Sequence, residues 1–520
     1  MKTAEPFARF AYHRHADQAR ATPASYPVVI IGAGPVGLTL AIDLKLRGIE
    51  CVLLDDQDRI GEGSRAICFA KRTLEIWDRL GCAAPMLEKG VRWNIGKVFQ
   101  GEDQLYQFDL LPEAGHKMPA FINLQQYYAE KFLVDRAQAL GIDLRWLNRV
   151  SGIRHHQDGA ELTIETPDGP YRLDARFVIA CDGVRSPMRA MLGLEFIGEE
   201  FEDQFLIADV RMTAPFPVER WFWFDPPFHG GQSCLLHKQP DDIWRIDLQL
   251  SPEADTEHER QPGVVRPRIE RMLGHADFEL EWISIYRFQC RRLERFVHDA
   301  LIFAGDAAHQ VSPFGARGAN SGVQDADNLG WKLAATLRGR AGLIASYDQE
   351  RSEAADENIL NSTRATDFIA PRHRTEARFR NAALALARLT EFGRRFVNSG
   401  RLSLPTVYQD SPLSTPDEQP WAAGPSPGTP IPDAPLGDGY LSEGLRHDFA
   451  LLWRRNVSDT DGIDGLPVID VHEKDRILIE RFALTPGAAY LIRPDRHVAA
   501  RFHQVTQDVV AAALAKAGAA

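Results

Sequence analysis

The chain has 520 residues, 44% of them hydrophobic and 25% charged, which is typical of a globular protein with two or three domains. Its formal net charge of −12 argues against nucleic-acid binding, and its apolar runs are shorter than the roughly 18 residues of a membrane span. The six cysteines are scattered without metal-ligand spacing, so we expect a reduced, cytoplasmic protein that holds no metal.

Residues 1–27 form a polar leader that lacks the apolar core of a signal peptide, and a strand–helix–strand unit follows. "VVIIGAG" is a β-branched run that breaks into glycines, "PVGLTLAIDLKLRG" has helical periodicity, and "ECVLLDD" is a second strand. At the first turn Gly32 allows a tight bend, Gly34 lets backbone approach a pyrophosphate, and Gly37 lets helix and strand pack closely.

This unit predicts a dinucleotide site that also includes Pro35 and Val36. Asp55 ends the second strand, where a carboxylate can accept hydrogen bonds from an adenosine ribose. NAD and FAD both fit these features.

The middle of the chain alternates between helical and strand patterns. Residues 66–90 and 123–140 have helical patterns, and a hairpin leads into a buried strand at Phe177–Ala180. From about 195 to 290 the pattern is alternating strands rich in Trp and Phe, with little helix. Helix returns at 319–360 and continues to about 398, and a Pro-, Gly- and Ser-rich segment then precedes short strands and a closing helix.

Residues 301–322, "LIFAGDAAHQVSPFGARGANSG", favour FAD over NAD. A buried strand ends at Gly305-Asp306, where the carboxylate can accept a hydrogen bond from a ribityl hydroxyl. The glycine-rich loop can bring backbone N–H groups to the flavin, and the next helix directs its positive end at the flavin N1/O2 edge.

Three motifs in this order resemble those of class A flavoprotein monooxygenases: "GAGPVG" at 32–37, "CDGVRSPMR" at 181–189 and "AGDAAHQVSPFGARGAN" at 304–320. The resemblance covers about residues 26–360 and implies FAD as cofactor, with NADH or NADPH as reductant. It implies that Arg65 lies near the FAD pyrophosphate and that Gln126 binds the ribityl chain, for which Gln125 is an equally good chemical candidate. Among the later residues, the resemblance implies that Asp182, Ser186 and Arg189 organise the loop that lies near both FAD and NAD(P)H. It also implies ribityl binding for Asp306 and lining of the flavin ring for Pro313, Gly318, Ala319 and Asn320.

The resemblance also implies an α/β architecture. We expect a Rossmann-like FAD-binding domain at 28–194 and 286–398, with an inserted, mainly antiparallel substrate-binding sheet at 195–285. Residues 399–520 resemble the thioredoxin-like domain appended to phenol hydroxylase relatives. That region contains no cysteine, which excludes thiol–disulfide chemistry there and leaves a packing or homodimer role.

The implied function is hydroxylation of a phenolic or other electron-rich aromatic substrate by O2, through a flavin C4a-hydroperoxide. The alternatives are a halogenase or epoxidase on the same scaffold, or a non-catalytic flavin-binding interaction protein. "WFWFDPP" at 221–227 is close to a halogenase W-x-W-x-x-P pattern, although Asp225 stands where Ile is expected. The base that assists phenol deprotonation is not identified, and His229, His237 and His309 are candidates for acid–base roles.

Strand parity in "IWRIDLQL" suggests which side chains meet the substrate. Trp244 and Ile246 fall on one face and Arg245 on the other, and we place Leu236, Trp244 and Ile246 at the substrate. This predicts an aromatic compound with a sizeable apolar part. A register slip of one residue would turn Arg245 inward instead and restore a carboxylate clamp.

Overall fold

The computed structural model describes residues 9–61, 63, 65–214, 216–230, 232–371, 373–398, 402–456 and 462–519. The first eight residues of the predicted leader and the predicted boundary at residue 399 lie outside this description. No helix among the described residues has the length and apolar character needed to cross a bilayer.

The strands, in chain order, are β1 Ala24–Ile31, β2 Cys51–Leu54, β3 Cys68–Ala70, β4 Val91–Trp93, β5 Ile95–Gln100, β6 Asp103–Asp109, β7 Phe121–Asn123, β8 Asp143–Arg145, β9 Arg149–His156, β10 Gly159–Glu165, β11 Tyr171–Ala180, β12 Phe196–Arg211, β13 Arg220–Phe224, β14 Cys234–Lys238, β15 Ile243–Leu250, β16 Glu279–Leu293, β17 Val297–His298, β18 Leu301–Phe303, β19 His309–Gln310, β20 Pro435–Leu436, β21 Gly439–Tyr440, β22 Ala450–Trp453, β23 Val468–Asp470, β24 Ala489–Ile492 and β25 Val498–Phe502. The α-helices are α1 Pro35–Leu46, α2 Lys71–Arg79, α3 Ala83–Lys89, α4 Gln126–Ala139, α5 Pro187–Met191, α6 Thr256–Glu259, α7 Pro262–Leu273, α8 Gly318–Leu337, α9 Leu343–Ile369, α10 Arg374–Leu389, α11 Glu391–Asn398, α12 Leu441–Gly444, α13 Arg476–Phe482 and α14 Gln507–Lys516.

The first sheet has the strand order β17-β18-β11-β1-β2-β8, with β9 and β10 joined to β11. β1 pairs in parallel with both β11 and β2, and β18 pairs in parallel with β11. The facing segments are continuous runs of Val, Ile and Leu because the sheet is buried on both faces. This confirms the expected Rossmann-like parallel sheet, whose strand ends meet at one edge.

Two strands are longer than expected. β1 begins at Ala24, inside the predicted leader, and pairs there with Leu173. The expected hairpin strand and buried strand are one continuous strand, β11. The described part of the leader packs on this domain, with the Phe10 ring stacked 4.3 Å from that of Trp146.

The second sheet has the order β19-β16-β12-β15-β14-β13-β5-β6 and is mainly antiparallel. It includes β5 and β6, so residues 95–109 pair with this sheet although the expected division assigned them to the FAD-binding domain. Between β15 and β16, where we expected little helix, the chain forms α7. The sheet therefore has one face covered by α7 and another directed at the first domain.

The C-terminal region contains a sheet of order β23-β22-β24-β25. β22 is parallel to β23 and antiparallel to β24, and separate apolar clusters cover the two faces. A buried ionic cluster joins this sheet to α8 and α9. Arg493 donates to both oxygens of Glu350, at 2.7 and 2.9 Å, and Lys332 also donates to Glu350 at 2.6 Å.

We expect Glu350→Gln to destabilise the folded chain by about 3–5 kcal/mol, because it leaves two buried cations with one fewer anion. Burial alone would raise the pKa of Glu350, but Arg493 and Lys332 outweigh it and hold that pKa well below its usual range. This contribution is therefore present above the unfolded pKa of glutamate and is lost as pH falls towards the folded value. Urea unfolding measures the change. Glu353→Gln, at an exposed position of α9, is the control, and equal stability of the two variants would contradict the prediction.

Candidate flavin and substrate site

The glycines of the first turn differ in what surrounds them. A Cβ atom on Gly32, whose φ is +103°, would lie 2.4 Å from the Cys181 carbonyl oxygen, and one on Gly37 would lie 2.0 Å from the Gly32 oxygen. A Cβ on Gly34 would meet no protein atom within 4 Å. Gly32 and Gly37 are thus required by the protein itself, whereas Gly34 faces open space that a phosphate group can occupy.

Pro35 and Val36 lie between Gly34 and Gly37, and each has a structural role. Pro35 is the first residue of α1, where a missing N–H costs nothing. The side chain of Val36 fits against Gly305 of the third motif and Gly322 of α8, because a Cβ on either glycine would lie 2.9 or 2.7 Å from its Cγ2. The first and third motifs therefore interlock.

Asp55 holds the glycine turn from the end of β2. Its Oδ2 accepts from the N–H of Ala33 at 2.6 Å and its Oδ1 from the N–H of Gln57 at 2.8 Å. Burial raises the pKa of Asp55 to about 6. Each carboxylate oxygen keeps a second lone pair, so Asp55 can still accept from a ribose hydroxyl.

The two glutamine candidates at the start of α4 point in different directions. Gln126 accepts from the N–H of Ala66 at 3.2 Å and donates to Glu130 at 2.7 Å, which places it beside the segment that carries Arg65. Gln125 donates to the Pro240 carbonyl at 3.3 Å, in the β14–β15 turn of the second sheet. Arg65 itself, next in sequence to Ala66, has an exposed side chain.

The second motif contacts the third. Asp182 accepts from the N–H of Met188 at 3.0 Å, and its other carboxylate oxygen is buried with no hydrogen-bond partner. Ser186 caps α5 by accepting from the N–H of Arg189 at 3.0 Å. Arg189 donates to the Ala307 carbonyl at 3.2 Å, next to Asp306.

Asp306 and the start of α8 form the expected cradle. The Asp306 carboxylate is exposed and has no hydrogen-bond partner among the described residues. Although the side chain is accessible to solvent, the protein atoms around it displace part of its hydration and raise the pKa of the carboxyl, while His309 and Arg65 act in the opposite direction. Gly318 and Ala319 lie in the first turn of α8, whose N–H groups have no partner within the helix. Pro313 is exposed at the start of the preceding turn, and its carbonyl accepts from the N–H of Ala316 at 3.0 Å.

Asn320 has a structural role in addition to the one expected for it. Its side chain is buried and bonded to the protein, accepting from the N–H of Ala70 at 2.8 Å and donating to the Cys68 carbonyl at 2.9 Å. Only its peptide group is left to line a flavin. The side chain instead fixes the start of α8 to β3.

Asp325, in the second turn of α8, was missed by the sequence reasoning. It is fully buried, and it accepts from the N–H of Gly305 at 2.8 Å and from Arg351 Nε at 2.5 Å. Its Oδ2 lies 2.7 Å from His309 Nε2. Through this contact with Asp325, His309 helps to hold the end of strand β18. The sequence carried little signal for this role, because α8 buries other polar and charged residues as well, among them Asp327 and Lys332.

The second sheet has two distinct faces. The outer face packs on α7 and carries Leu236, Trp244 and Ile246, all of which are almost completely buried. The cleft face is directed at the first domain and carries Ile207, Asp209, Phe222, Leu235, His237, Arg245 and Asp247. The predicted alternation is confirmed, but the expected placement of Leu236, Trp244 and Ile246 at the substrate is wrong, because the face that they share is covered by α7.

Contacts between the domains identify the cleft face. Arg245 donates to the Arg65 carbonyl at 2.8 Å, and the Phe205 ring meets the Phe314 ring edge-on at 4.8 Å. Tyr286, opposite Phe205 in β16, has a pKa raised to about 12 by burial and by Asp306. The sheet therefore closes over the loop that carries Pro313 and Phe314.

The remaining sequence candidates lie elsewhere. Trp221 and Trp223 are on the outer face, with their rings 5.7 Å apart, so the halogenase-like pattern does not face the flavin loop. His229 hydrogen-bonds the Gln249 carbonyl at 2.6 Å. Among the described residues, no group of three or more His, Cys, Asp or Glu side chains is placed to hold a metal.

Two proteins that are similar in sequence are a monooxygenase and a hydroxylase. A flavin-dependent monooxygenase of Mycobacteroides abscessus is 32% identical over 360 residues, covering 65% of this chain and 73% of the relative. A 3-(3-hydroxy-phenyl)propionate/3-hydroxycinnamic acid hydroxylase of Mycolicibacterium smegmatis is 26% identical over 414 residues, covering 79% and 72%.

Solved structures share the fold. The flavin-dependent monooxygenase PieE, in complex with FAD and substrate, aligns with a TM-score of 0.80 at 21% identity over 96% of this chain and 100% of its own. Aklavinone-11 hydroxylase with FAD and aklavinone aligns with a TM-score of 0.76 at 20% identity, covering 96% and 99%. The family model described as "FAD binding domain" matches residues 25–362. With its three motifs assembled at one sheet edge, the chain belongs to this FAD-binding family and is a class A FAD-dependent monooxygenase.

Proposed function

We propose that the enzyme hydroxylates a phenolic or other electron-rich aromatic compound with O2, using NADH or NADPH as reductant. The observation that carries this proposal is the cleft between the Phe314 loop and the second sheet. A cavity of about 30 Å³ at one end of this cleft is lined by Val98, Phe108, Arg220, Phe222 and Phe314. The cavity itself is smaller than an aromatic ring, but its aromatic walls lie beside the flavin cradle and offer surfaces on which a flat apolar ring can pack.

Residues around the cleft fit FAD. Gly34 and the exposed Arg65 would receive the pyrophosphate, and Asp55 the adenosine ribose. Asp306 and Gln126 would hold the ribityl chain, with the peptide groups of Gly318, Ala319 and Asn320 and the Pro313 turn along the ring. When bound and reduced, FAD supplies the activation of O2 and the transfer of one oxygen atom. The role proposed for Asp182, Ser186 and Arg189 is to shape the surface on which the nicotinamide docks.

The protein's own contribution is position and exclusion of water. Phe205, Phe288 and Phe314 pack edge-on with ring centres about 5 Å apart, which closes one end of the cleft. A closed apolar wall holds a ring at a fixed height over the reacting face and keeps water from diverting the oxygen.

The substrate that this cleft favours is a phenol whose recognition does not rest on a carboxylate gripped by Arg245. Arg245 lies on the cleft face, but its guanidinium already donates to Asp209 at 3.0 Å and to the Arg65 carbonyl. Two similar proteins, a hydroxylase of 3-(3-hydroxy-phenyl)propionate and aklavinone-11 hydroxylase, are named after aromatic compounds, which supports an aromatic substrate class. The halogenase alternative has less support, because Trp221 and Trp223 face α7.

For the C-terminal region we propose a thioredoxin-like domain with a role in packing or homodimer formation. Its strand order, with β22 between a parallel and an antiparallel neighbour, is compatible with that fold. No described residue after 402 is a cysteine. Because thiol–disulfide chemistry needs cysteine, we assign this region a structural role.

Gly34→Ala should weaken FAD binding without destabilising the apoprotein, because the added Cβ meets no protein atom and only obstructs the phosphate. Gly37→Ala should instead destabilise the fold itself, since its Cβ would collide with the Gly32 carbonyl. Thermal unfolding of the apoprotein and FAD titration measure both effects. Equal loss of apoprotein stability in the two variants would contradict the assignment.

Asp306→Ala should weaken FAD retention by about 1.5–3 kcal/mol, the cost of a lost charge-assisted hydrogen bond. Fluorescence titration of the apoprotein with FAD measures the change. Asp299→Ala, in the turn before β18, is a control that does not face the cradle. Unchanged FAD affinity in Asp306→Ala would show that the ribityl assignment is incorrect.

Mixing the FAD-loaded enzyme with NADH or NADPH should bleach the flavin absorbance, and a bound phenol should accelerate the bleaching. Stopped-flow absorbance over a panel of phenols measures the rate, and chromatography detects the hydroxylated product. No reduction by either nicotinamide, with any phenol, would favour the non-catalytic flavin-binding alternative.

A further inference from the structure

We propose that Asp247 is the group that accepts the hydrogen bond, and then the proton, from the hydroxyl of the aromatic substrate. The inference rests on the proposed function and adds to it the proton acceptor. Asp247 is on the cleft face of β15, paired with Ile207 of β12 and Leu235 of β14. One strand further, Phe222 pairs with Leu235 and lines the cavity next to Phe314.

Asp247 has apolar neighbours on both sides in its cross-strand row. Ile207 and Leu235 lie next to it and Phe222 lies one strand beyond Leu235, and none of these side chains offers a hydrogen bond. The polar members of the row, Ser284 and Tyr106, are two and four strands away from Asp247. Its Oδ1 is buried and has no hydrogen-bond partner. Buried carboxylate oxygens are normally paired, so an unpartnered one beside the cleft indicates a missing donor. A substrate O–H is such a donor.

A second unpartnered atom lies close by. His237 is buried, and its Nδ1 also has no hydrogen-bond partner. It belongs to the next cross-strand row, paired with Arg245, which in turn pairs with Asp209. Burial holds the pKa of His237 well below its usual range, and Arg220 and Arg245 lower it further, so the ring is neutral. A neutral imidazole can orient the substrate oxygen but does not compete with a carboxylate for the proton.

The charges around Asp247 suit a base that works near neutral pH. The charged and titratable groups close to it are Arg245 on its own strand, Arg220 on β13, His237 and Cys234 on β14, Asp209 on β12 and Cys68 on β3. Burial raises the pKa of Asp247 to about 6, against the lowering effect of Arg245. The carboxyl is therefore mostly ionised at pH 7 and becomes protonated as pH falls through 6.

The proton transfer balances as follows. The ring carbon next to the hydroxyl-bearing carbon forms a C–O bond to the transferred oxygen, with ring electrons as the donor pair. The O–H bond pair of the substrate becomes the second bond of a C=O group, and Asp247 takes the proton. The ring carbon then loses its hydrogen as a proton to water, and the carbonyl oxygen regains one from Asp247, which restores the aromatic dihydroxy product. The oxygen atom would come from O2 that reduced FAD has reduced by two electrons. The O–O bond breaks as the C–O bond forms, its electron pair leaves with the second oxygen atom, and that atom takes up protons and ends as water.

The binding test uses 4-nitrophenol, whose phenolate form absorbs visible light, with the FAD-loaded enzyme and no nicotinamide. A carboxylate beside the hydroxyl disfavours phenolate, so Asp247→Asn should lower the apparent pKa of the bound probe by about one unit or more. Asp242→Asn removes the same charge from an exposed position in the hairpin before β15. It should titrate like the unaltered enzyme. Identical probe ionisation in Asp247→Asn and Asp242→Asn would overturn the proposal.

The turnover test measures hydroxylated product per NAD(P)H oxidised as a function of pH. Asp247→Asn should retain FAD and flavin reduction but form product about 100-fold more slowly, with O2 diverted to hydrogen peroxide. Its product yield should no longer fall below pH 6, and Asp247→Glu should recover part of the yield. Normal product yield in Asp247→Asn would refute the role of Asp247 alone. Absence of product from the unaltered enzyme with every phenol would instead refute the proposed function.

Discussion

The close approach of the ends of β1 and β11 is the contact on which the site depends. The Gly32 backbone lies against the carbonyl of Cys181, at a distance that a Cβ would reduce to 2.4 Å. This contact brings the turn at 32–37 and the turn at 181–189 to the same edge of the sheet, and β18 adds the third motif beside them. Parallel strands place all their carboxyl ends at one edge, so residues about 270 positions apart in sequence share one cleft.

Helix α8 connects this edge to the rest of the molecule. Its first turn carries the peptide groups of the cradle, and its second turn carries Asp325, which holds the Gly305 N–H. Arg351 bonds Asp325 and also donates to the Tyr408 hydroxyl at 2.8 Å, in the segment that leads to the C-terminal region. Further along the same helix, Lys332 reaches the Glu350–Arg493 pair. The C-terminal region is thus bonded to the helix that forms the flavin cradle.

The sequence predicted the first domain well because its signals are local. Glycines at fixed spacing, β-branched runs and a carboxylate at a strand end each reflect the backbone of a few neighbouring residues. It predicted the alternation of Trp244 and Arg245 for the same reason. It could not predict which face meets the flavin loop, because that depends on where α7 packs, and α7 itself was not expected. Likewise, nothing near Asn320 shows that its amide bonds β3, about 250 residues earlier in the chain.

The correction at Trp244 changes the chemistry expected of the cleft. With Leu236, Trp244 and Ile246 at the substrate, the sheet would have been an apolar wall and the proton acceptor would have had to come from elsewhere. In the structure the opposite face of the sheet is directed at the flavin loop, so His237, Arg245 and Asp247 lie in the cleft. Phe222 and Leu235 lie on the same face and supply apolar surface. Arg245 is paired with Asp209 at 3.0 Å, so the charged groups that remain next to this row are Asp247 and Arg220. A phenol presents an apolar ring and one acidic O–H, and this face offers apolar contacts together with two unpartnered polar atoms, Asp247 Oδ1 and His237 Nδ1, for that hydroxyl.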